Sequence, residues 1–326
     1  MVNLIVKKGG DDSSQNRLLF FLRKSLPDKI EEVIHIRSHV YEVKKAEGKM
    51  ILKGFPSLRS LKIQESFTRS LKKEGFWQTY EFLSFSKEPL YFDNRYYGCL
   101  EYIEPGNQPF YYDTKQQCRE GLELLTTFHQ ATTKLVDNYQ SYLSAFTLKD
   151  KWLARFKQFK ENERLLSFFL PRDVIRDLYF WANWSLNGLL QHWESFTQYQ
   201  NVILHGDTAC HNFLRTANND LFLIDFDLIS IGPAVNDYLQ YANRILPLFS
   251  WSMDTLKSHR QFRPFLKESF FLYALAFPTD IFREWNRMIR ERKYHDPHHV
   301  RPVMALTMDK YEYRSLFIQQ LARTLK

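Results

Sequence analysis

Between residues 201 and 237 the chain reads NVILHGDTACHNFLRTANNDLFLIDFDLISIGPAVND. Two short apolar runs of β type, residues 202–204 and 221–224, flank an unusual polar loop. Any fold must bury the runs and leave the polar residues at their ends. The first run delivers His205-Gly206-Asp207, and Asn212 follows five residues after that aspartate. Residues 216–220 supply turn chemistry, and the second run ends at Asp225. The pattern predicts two paired strands that carry Asp207, Asn212 and Asp225 to one end.

Two carboxylates and an amide around one point suit phosphoryl transfer to a hydroxyl. One carboxylate must orient the nucleophile and take its proton, a role that fits Asp207. Oxygen ligands must hold Mg²⁺ against a triphosphate, a role that fits Asn212 and Asp225. The plainer alternative is that these residues only cap loops. A transition-metal site built from His205, Asp207, His211 and Asp225 is a further alternative, but it explains less of the segment.

The first third of the chain mixes strand and helix. Residues 30–45 predict two short strands joined by a turn, and residues 49–55 a third strand after Gly48. Residues 61–73 place Leu61, Phe67 and Leu71 at helical intervals. Residues 90–103 predict a hairpin turning at Asp93-Asn94, and Pro105-Gly106 breaks the chain just beyond. The rest is mostly helical. Cys118, Leu122, Leu125 and His129, with Leu124 and Phe128, form one stripe; Leu178, Trp181, Ala182, Ser185 and Leu189 form another. The organisation is therefore α+β, with a small β-rich lobe over residues 1–103 and a larger helical lobe over 104–326.

Composition narrows the function classes. A net charge of +8 could serve an anionic partner, but the basic residues are dispersed and form no stripe. The 28 Phe and 18 Tyr come without an aromatic nucleic-acid motif, so they read as core rather than base-stacking residues. Three separated cysteines, Cys99, Cys118 and Cys210, suit a reducing compartment. The N-terminus lacks a signal core, and the longest apolar run, residues 270–277, is too short to span a bilayer. Cytoplasmic residence is the expectation, with neither nucleic acid nor a membrane span. The histidines His295, His298 and His299 read as an exposed loop, with metal binding the alternative.

The HGDxxxxN motif at 205–212, followed by an apolar strand and IDFD at 224–227, resembles the aminoglycoside phosphotransferase and choline kinase-like superfamily. Within it, HGDTACHNFL, LFLIDFDLISIGP and DYLQYANRILP, with LTTFHQA and KWLARFK upstream, are similar to the spore coat-associated CotS and YutH-like branch, YutH-like above all. The resemblance implies a two-lobed protein-kinase-like fold, ATP and Mg²⁺ as cofactors, and a hydroxyl acceptor it does not identify. It also implies a sporulation setting, recruitment to the spore coat and contact with other coat proteins. By resemblance Asp207 is the catalytic base, and Asn212 and Asp225 are metal ligands. His205 then packs the loop, and Asp237 braces it from the next helix.

The resemblance also assigns the nucleotide-binding lobe. YEVKKAEGKMILKGF looks like the strand pair that presents a phosphate-binding lysine, which would be Lys53. A solvated strand lysine is the plain alternative. Ile51, two residues away on the same face, would roof the adenine. Glu65 would pair with Lys53, with Glu74 as the other candidate. Glu101, Tyr102 and Ile103 would offer backbone groups to the adenine. One feature departs from the pattern: no glycine occurs between Gly10 and Gly48, where a phosphate loop would want one. Arg37 or Ser38 could contact phosphate through side chains instead. A noncatalytic kinase-fold scaffold of the coat is the alternative function.

Overall fold

The computed structural model describes residues 12–85 and 88–325. The extreme N-terminus, on which the absence of a signal core was read, lies outside them. The chain forms two compact units. One comprises residues up to Pro109 together with Phe213–Asp227; the other comprises Phe110–Asn212 and the chain from Leu228 onward.

The first unit is built on an antiparallel sheet. Helix α1 (Asp12–Ser25) leads into β1 (Ile30–Arg37), β2 (Val40–Lys45) and β3 (Lys49–Phe55). Helix α2 (Leu58–Lys73), β4 (Phe82–Leu83), β5 (Leu90–Phe92) and β6 (Arg95–Glu101) follow. The strand order is β1-β2-β3-β6-β4, with β5 also pairing β6. The expected hairpins are present. Asp93 and Asn94 both take left-handed backbone, the two-residue turn whose twist matches its strands. Helix α1 had no counterpart in the sequence reading. Its Leu18 and Leu22, with Leu26 just beyond its end, are buried with Val43, Met50 and Leu52 of the sheet. Each such side chain contributes about 1.5–3 kcal/mol by leaving water.

Helix α2 starts at a reciprocal serine cap. Ser57 accepts from the Ser60 N–H, and the Ser60 hydroxyl accepts from the Ser57 N–H. Its buried face carries Leu61, Gln64, Phe67, Thr68 and Leu71.

The second unit is mostly helical. The helix α3 (Lys115–Thr133) buries the whole predicted stripe from Cys118 to His129. The helix Arg172–Gln191 buries the other stripe and packs on the helix Ser269–Ala276. There the Ser185 hydroxyl donates to the Tyr273 carbonyl at 2.6 Å. The aromatic residues go largely to the core: Trp152 stacks on Phe277 at 4.2 Å between ring centroids, and Phe159 meets Phe282 at 4.4 Å. No described helix is long and apolar enough to cross a membrane.

The strand pairing around the motif differs from expectation. Strand β7 (Asn201–Leu204) pairs with β10 (Ser230–Pro233), with Leu204 opposite Ser230. The second apolar run forms β9 (Leu221–Leu223), and its partner is β8 (Phe213–Arg215). The two runs therefore belong to separate hairpins. The β8–β9 hairpin joins the first unit because its polar backbone is satisfied there. The Leu223 N–H donates to the Gln78 carbonyl at 2.9 Å, and the Gly106 N–H donates to the Arg215 carbonyl at 2.8 Å. Just after it, Phe226 is buried against Phe67 and Tyr80. The first unit is thus discontinuous in sequence, unlike the single division near residue 103.

Candidate active site

The loop after β7 is a hydrogen-bonded frame inside the second unit. Gly206 has φ +80°, and a Cβ there would lie 2.3 Å from the Leu228 carbonyl oxygen, so only glycine fits. Asp237, in the first turn of the helix Val235–Ile245, reaches this loop rather than its own helix start. Its carboxylate accepts from the His205 N–H at 2.8 Å, the Gly206 N–H at 3.0 Å and His129 Nε2 at 2.9 Å. Asp237 is only 1% exposed. Burial raises its carboxyl pKa, but the hydrogen bond and charge of His129, with His205, outweigh that and hold it below the ordinary carboxylate range. Gln240, one turn on, accepts from the Thr208 N–H at 2.7 Å and donates to the Gly206 carbonyl at 2.9 Å. His205 is fully buried, and its Nδ1 accepts from the Asp207 N–H at 3.3 Å.

This frame presents Asp207 and Asn212. The Asp207 side chain is 30% exposed, and its Oδ1 lies 3.1 Å from Nη2 of Arg244. Asn212 Nδ2 donates to the Asp207 carbonyl at 2.9 Å, which fixes the amide. Its buried Oδ1 has no hydrogen-bond partner among the described residues.

The first unit holds Asp225 by charge. Asp225 takes left-handed backbone, φ +71°, at a cost on the order of 1 kcal/mol. Lys53 Nζ lies 2.8 Å from its Oδ1 and 2.6 Å from Asp227 Oδ1; Arg37 Nη2 lies 2.7 Å from its Oδ2. Burial raises the Asp225 pKa, but Lys53 and Arg37 override it and push the carboxyl well below its ordinary range. Lys53 is buried at 5% exposure rather than solvated.

Lys53 pairs with two aspartates and not with Glu65. Among the described residues Glu65 bonds Lys62 at 2.8 Å and Arg69 at 3.3 Å on its own helix. The face of α2 at 61, 64, 68 and 71 turns inward, so Gln64 takes the inner position and donates to Asp227 at 2.7 Å. Glu74 lies at the C-cap of α2. Ile51 is half-buried on β3, opposite Glu42 and Leu100. Glu101 ends β6, and its N–H already donates to the Glu81 carbonyl at 2.8 Å. Tyr102 lies outside the strand, 4.8 Å from Lys49 Nζ, and Ile103 follows it.

Asp227, Gln64, Gln240 and Arg244 escaped the sequence reading. Two signals were available: Asp227 lies two residues after Asp225, and Gln64 continues the stripe through Leu61. Gln240 and Arg244 carry no local signal. The competing sites gain no support. No group of three or more His, Cys, Asp or Glu among the described residues could hold a metal ion. His299 pairs with Asp296 at the start of the helix Pro297–Met308. Burial pushes the Cys99 and Cys118 thiols up to about 12, which leaves them unreactive.

Comparison with known proteins agrees with this architecture. The chain belongs to the phosphotransferase enzyme family, whose profile matches residues 31–255. Its fold is similar to the aminoglycoside phosphotransferase of Alicyclobacillus acidocaldarius subsp. acidocaldarius DSM 446, with TM-score 0.68, 18% identity, and coverage of 91% of this chain and 92% of that one. It is also similar to aminoglycoside 2'-phosphotransferase-IIIa in its GDP complex, with TM-score 0.63, 16% identity, and coverage of 93% and 99%. The AMP complex of spectinomycin phosphotransferase APH(9)-Ia follows at TM-score 0.54 and 13% identity, with coverage of 92% and 97%. No curated protein sequence matches the chain.

Proposed function

We propose that this protein is an ATP-dependent phosphotransferase that phosphorylates a hydroxyl group of a small molecule or a coat component. The observation that carries this reading is the Asn212 amide, tied at Nδ2 and left with a buried, unpartnered oxygen. Such an oxygen suits a hard cation, and Asp225 supplies carboxylate oxygens of the same class, so the donor set fits Mg²⁺. Bound there, the ion would neutralise charge on the nucleotide phosphates. Lys53 would hold those phosphates; Ile51, Glu101, Tyr102 and Ile103 would face the adenine. Asp207 would orient the acceptor hydroxyl and take its proton as the hydroxyl oxygen bonds the γ-phosphorus. The bond from that phosphorus to the bridging oxygen then breaks and ADP leaves. His205 and Asp237 would keep the loop in shape. The nucleotide complexes of the structurally similar enzymes, with GDP and AMP, support a nucleotide site.

A thermal-shift titration with Mg-ATP tests the reading. At about a hundredfold excess over the dissociation constant the stabilisation should be about 2.7 kcal/mol. No shift at millimolar Mg-ATP would favour a noncatalytic scaffold. One observation favours that second reading: the β1–β2 turn is only Ser38-His39, too short to wrap phosphates with backbone amides. For the setting we propose the cytoplasm of a sporulating cell and recruitment to the spore coat. The similarity of HGDTACHNFL and LFLIDFDLISIGP to the CotS and YutH-like branch supports it. A fluorescent fusion that stays dispersed through sporulation in a spore-forming bacillus would refute coat recruitment.

A further inference from the structure

The register of the first unit's sheet sets Arg37 opposite Val40, Val40 opposite Lys53, and Lys53 opposite Gly98. Cross-strand partners point to one face, so Arg37 and Lys53 share a row and a side of the sheet. They meet the same carboxylate: Lys53 Nζ takes Asp225 Oδ1 at 2.8 Å and Arg37 Nη2 takes Oδ2 at 2.7 Å. Anything that sits beside Lys53 at Asp225 therefore lies within reach of Arg37. The two cations differ in freedom. Lys53 is buried, whereas the Arg37 side chain is 47% exposed and hangs from the last residue of β1. It can swing without disturbing the core.

The charges in this cluster balance: Lys53 and Arg37 against Asp225 and Asp227. A divalent cation at Asp225 would upset that balance, displace the exposed guanidinium and leave two positive charges to be met. A polyphosphate meets them. A guanidinium is also better matched to phosphate oxygens than an ammonium, because it offers parallel N–H donors in one plane.

We infer that Arg37 is a phosphate-contacting residue of the nucleotide site, resting on Asp225 until the metal-bound triphosphate takes it over. The inference rests on the phosphotransferase reading and adds a specific device to it. Arg37 compensates by side chain for a turn of two residues, Ser38 and His39, that has no glycine and little backbone to offer a phosphate. It also makes the site select for charge: a ligand lacking the β- and γ-phosphates cannot draw Arg37 away from Asp225.

Isothermal titration of the full chain with Mg-ATP, and separately with adenosine, tests this on the wild type, Arg37→Ala and Arg37→Lys. Arg37→Ala should weaken Mg-ATP binding by about tenfold or more, the scale of one lost charge-assisted hydrogen bond, and leave adenosine binding unchanged. Arg37→Lys should recover part of the loss. Melting curves identify a misfolded variant, and if Arg37→Ala fails to fold, Arg37→Lys carries the test through a smaller loss confined to Mg-ATP. Unchanged or tighter Mg-ATP binding in Arg37→Ala, or equal loss for adenosine, overturns the inference while the phosphotransferase reading stands. A wild type that binds neither ligand removes that reading, and the role of Arg37 with it.

Discussion

Asp225 and Asp207 each meet an arginine, but the backbone that carries them is held by different means. Asp225 sits in a left-handed backbone position between Lys53 and Arg37, clamped by ionic contacts in the first unit. Asp207 is shaped indirectly, by a loop whose N–H groups are gathered onto the buried carboxylate of Asp237 and the amide of Gln240. Ionic contacts that reach solvent are screened by salt and exchanged easily for a charged ligand. A buried frame of directional bonds is insensitive to salt but intolerant of any missing member. In the proposed function Asp225 would take up and release a metal nucleotide, which the first arrangement suits. Asp207 would hold an acceptor hydroxyl in a fixed position, which the second suits.

The comparison can be broken by experiment. The largest expected effect is on turnover. Asp207→Asn should cut phosphoryl transfer by ~10²–10⁴-fold, the usual size of a general-base contribution, with most nucleotide binding retained. Asp225→Asn should lose nucleotide binding and transfer together. Calorimetry with Mg-ATP in which Asp207→Asn loses binding and Asp225→Asn keeps it would reverse the assigned roles. Next in size, Asp237→Ala leaves the buried N–H groups of His205 and Gly206 without an acceptor. It should cost about 3 kcal/mol or more, read as a lower melting temperature. Unchanged melting with selective loss of turnover would show that the frame is not structural.

Acid should act on both regions with the same sign. Asp225 and Asp237 each have a carboxyl pKa below the ordinary value in the folded chain. The unfolded chain therefore binds protons first as pH falls. Their stabilisation is fully present above the unfolded carboxylate pKa of about 3.9 and is lost as pH drops below it through the folded values. Chemical denaturation across pH 6 to 2 should show stability falling with pH, and in Asp237→Asn the fall should be shallower. Added salt separates the regions. Molar NaCl should loosen the half-exposed Arg37 contact and leave the Asp237 frame intact, which hydrogen exchange at His205 and Gly206 would report.

The smallest effects lie on α2. Gln64→Ala removes a buried donor from Asp227 and should cost about 1 kcal/mol. Glu65→Ala breaks only pairs on the helix surface and should stay within about 0.5 kcal/mol. A larger loss for Glu65 than for Gln64 in urea denaturation would restore Glu65 as the inner residue.

The sequence by itself determined the elements that depend on neighbours close along the chain. The hairpin at Asp93-Asn94 and the stripe from Cys118 to His129 both follow from local backbone and burial patterns. The family followed from Asp207, Asn212 and Asp225 at fixed spacing. Only the tertiary structure decided which strands pair. An apolar run of three or four residues fits many partners, and hydrogen bonds to the Gln78 carbonyl and from the Gly106 N–H drew the β8–β9 hairpin into the first unit. It also decided that Gln64 rather than Glu65 faces inward. Adjacent helical residues point about 100° apart, so the choice rests on how the whole of α2 is rotated against the sheet. The partners of the key carboxylates, Arg37 on Asp225 and Arg244 on Asp207, lie 188 and 37 residues away, and no local pattern encodes a contact that only the folded chain brings about.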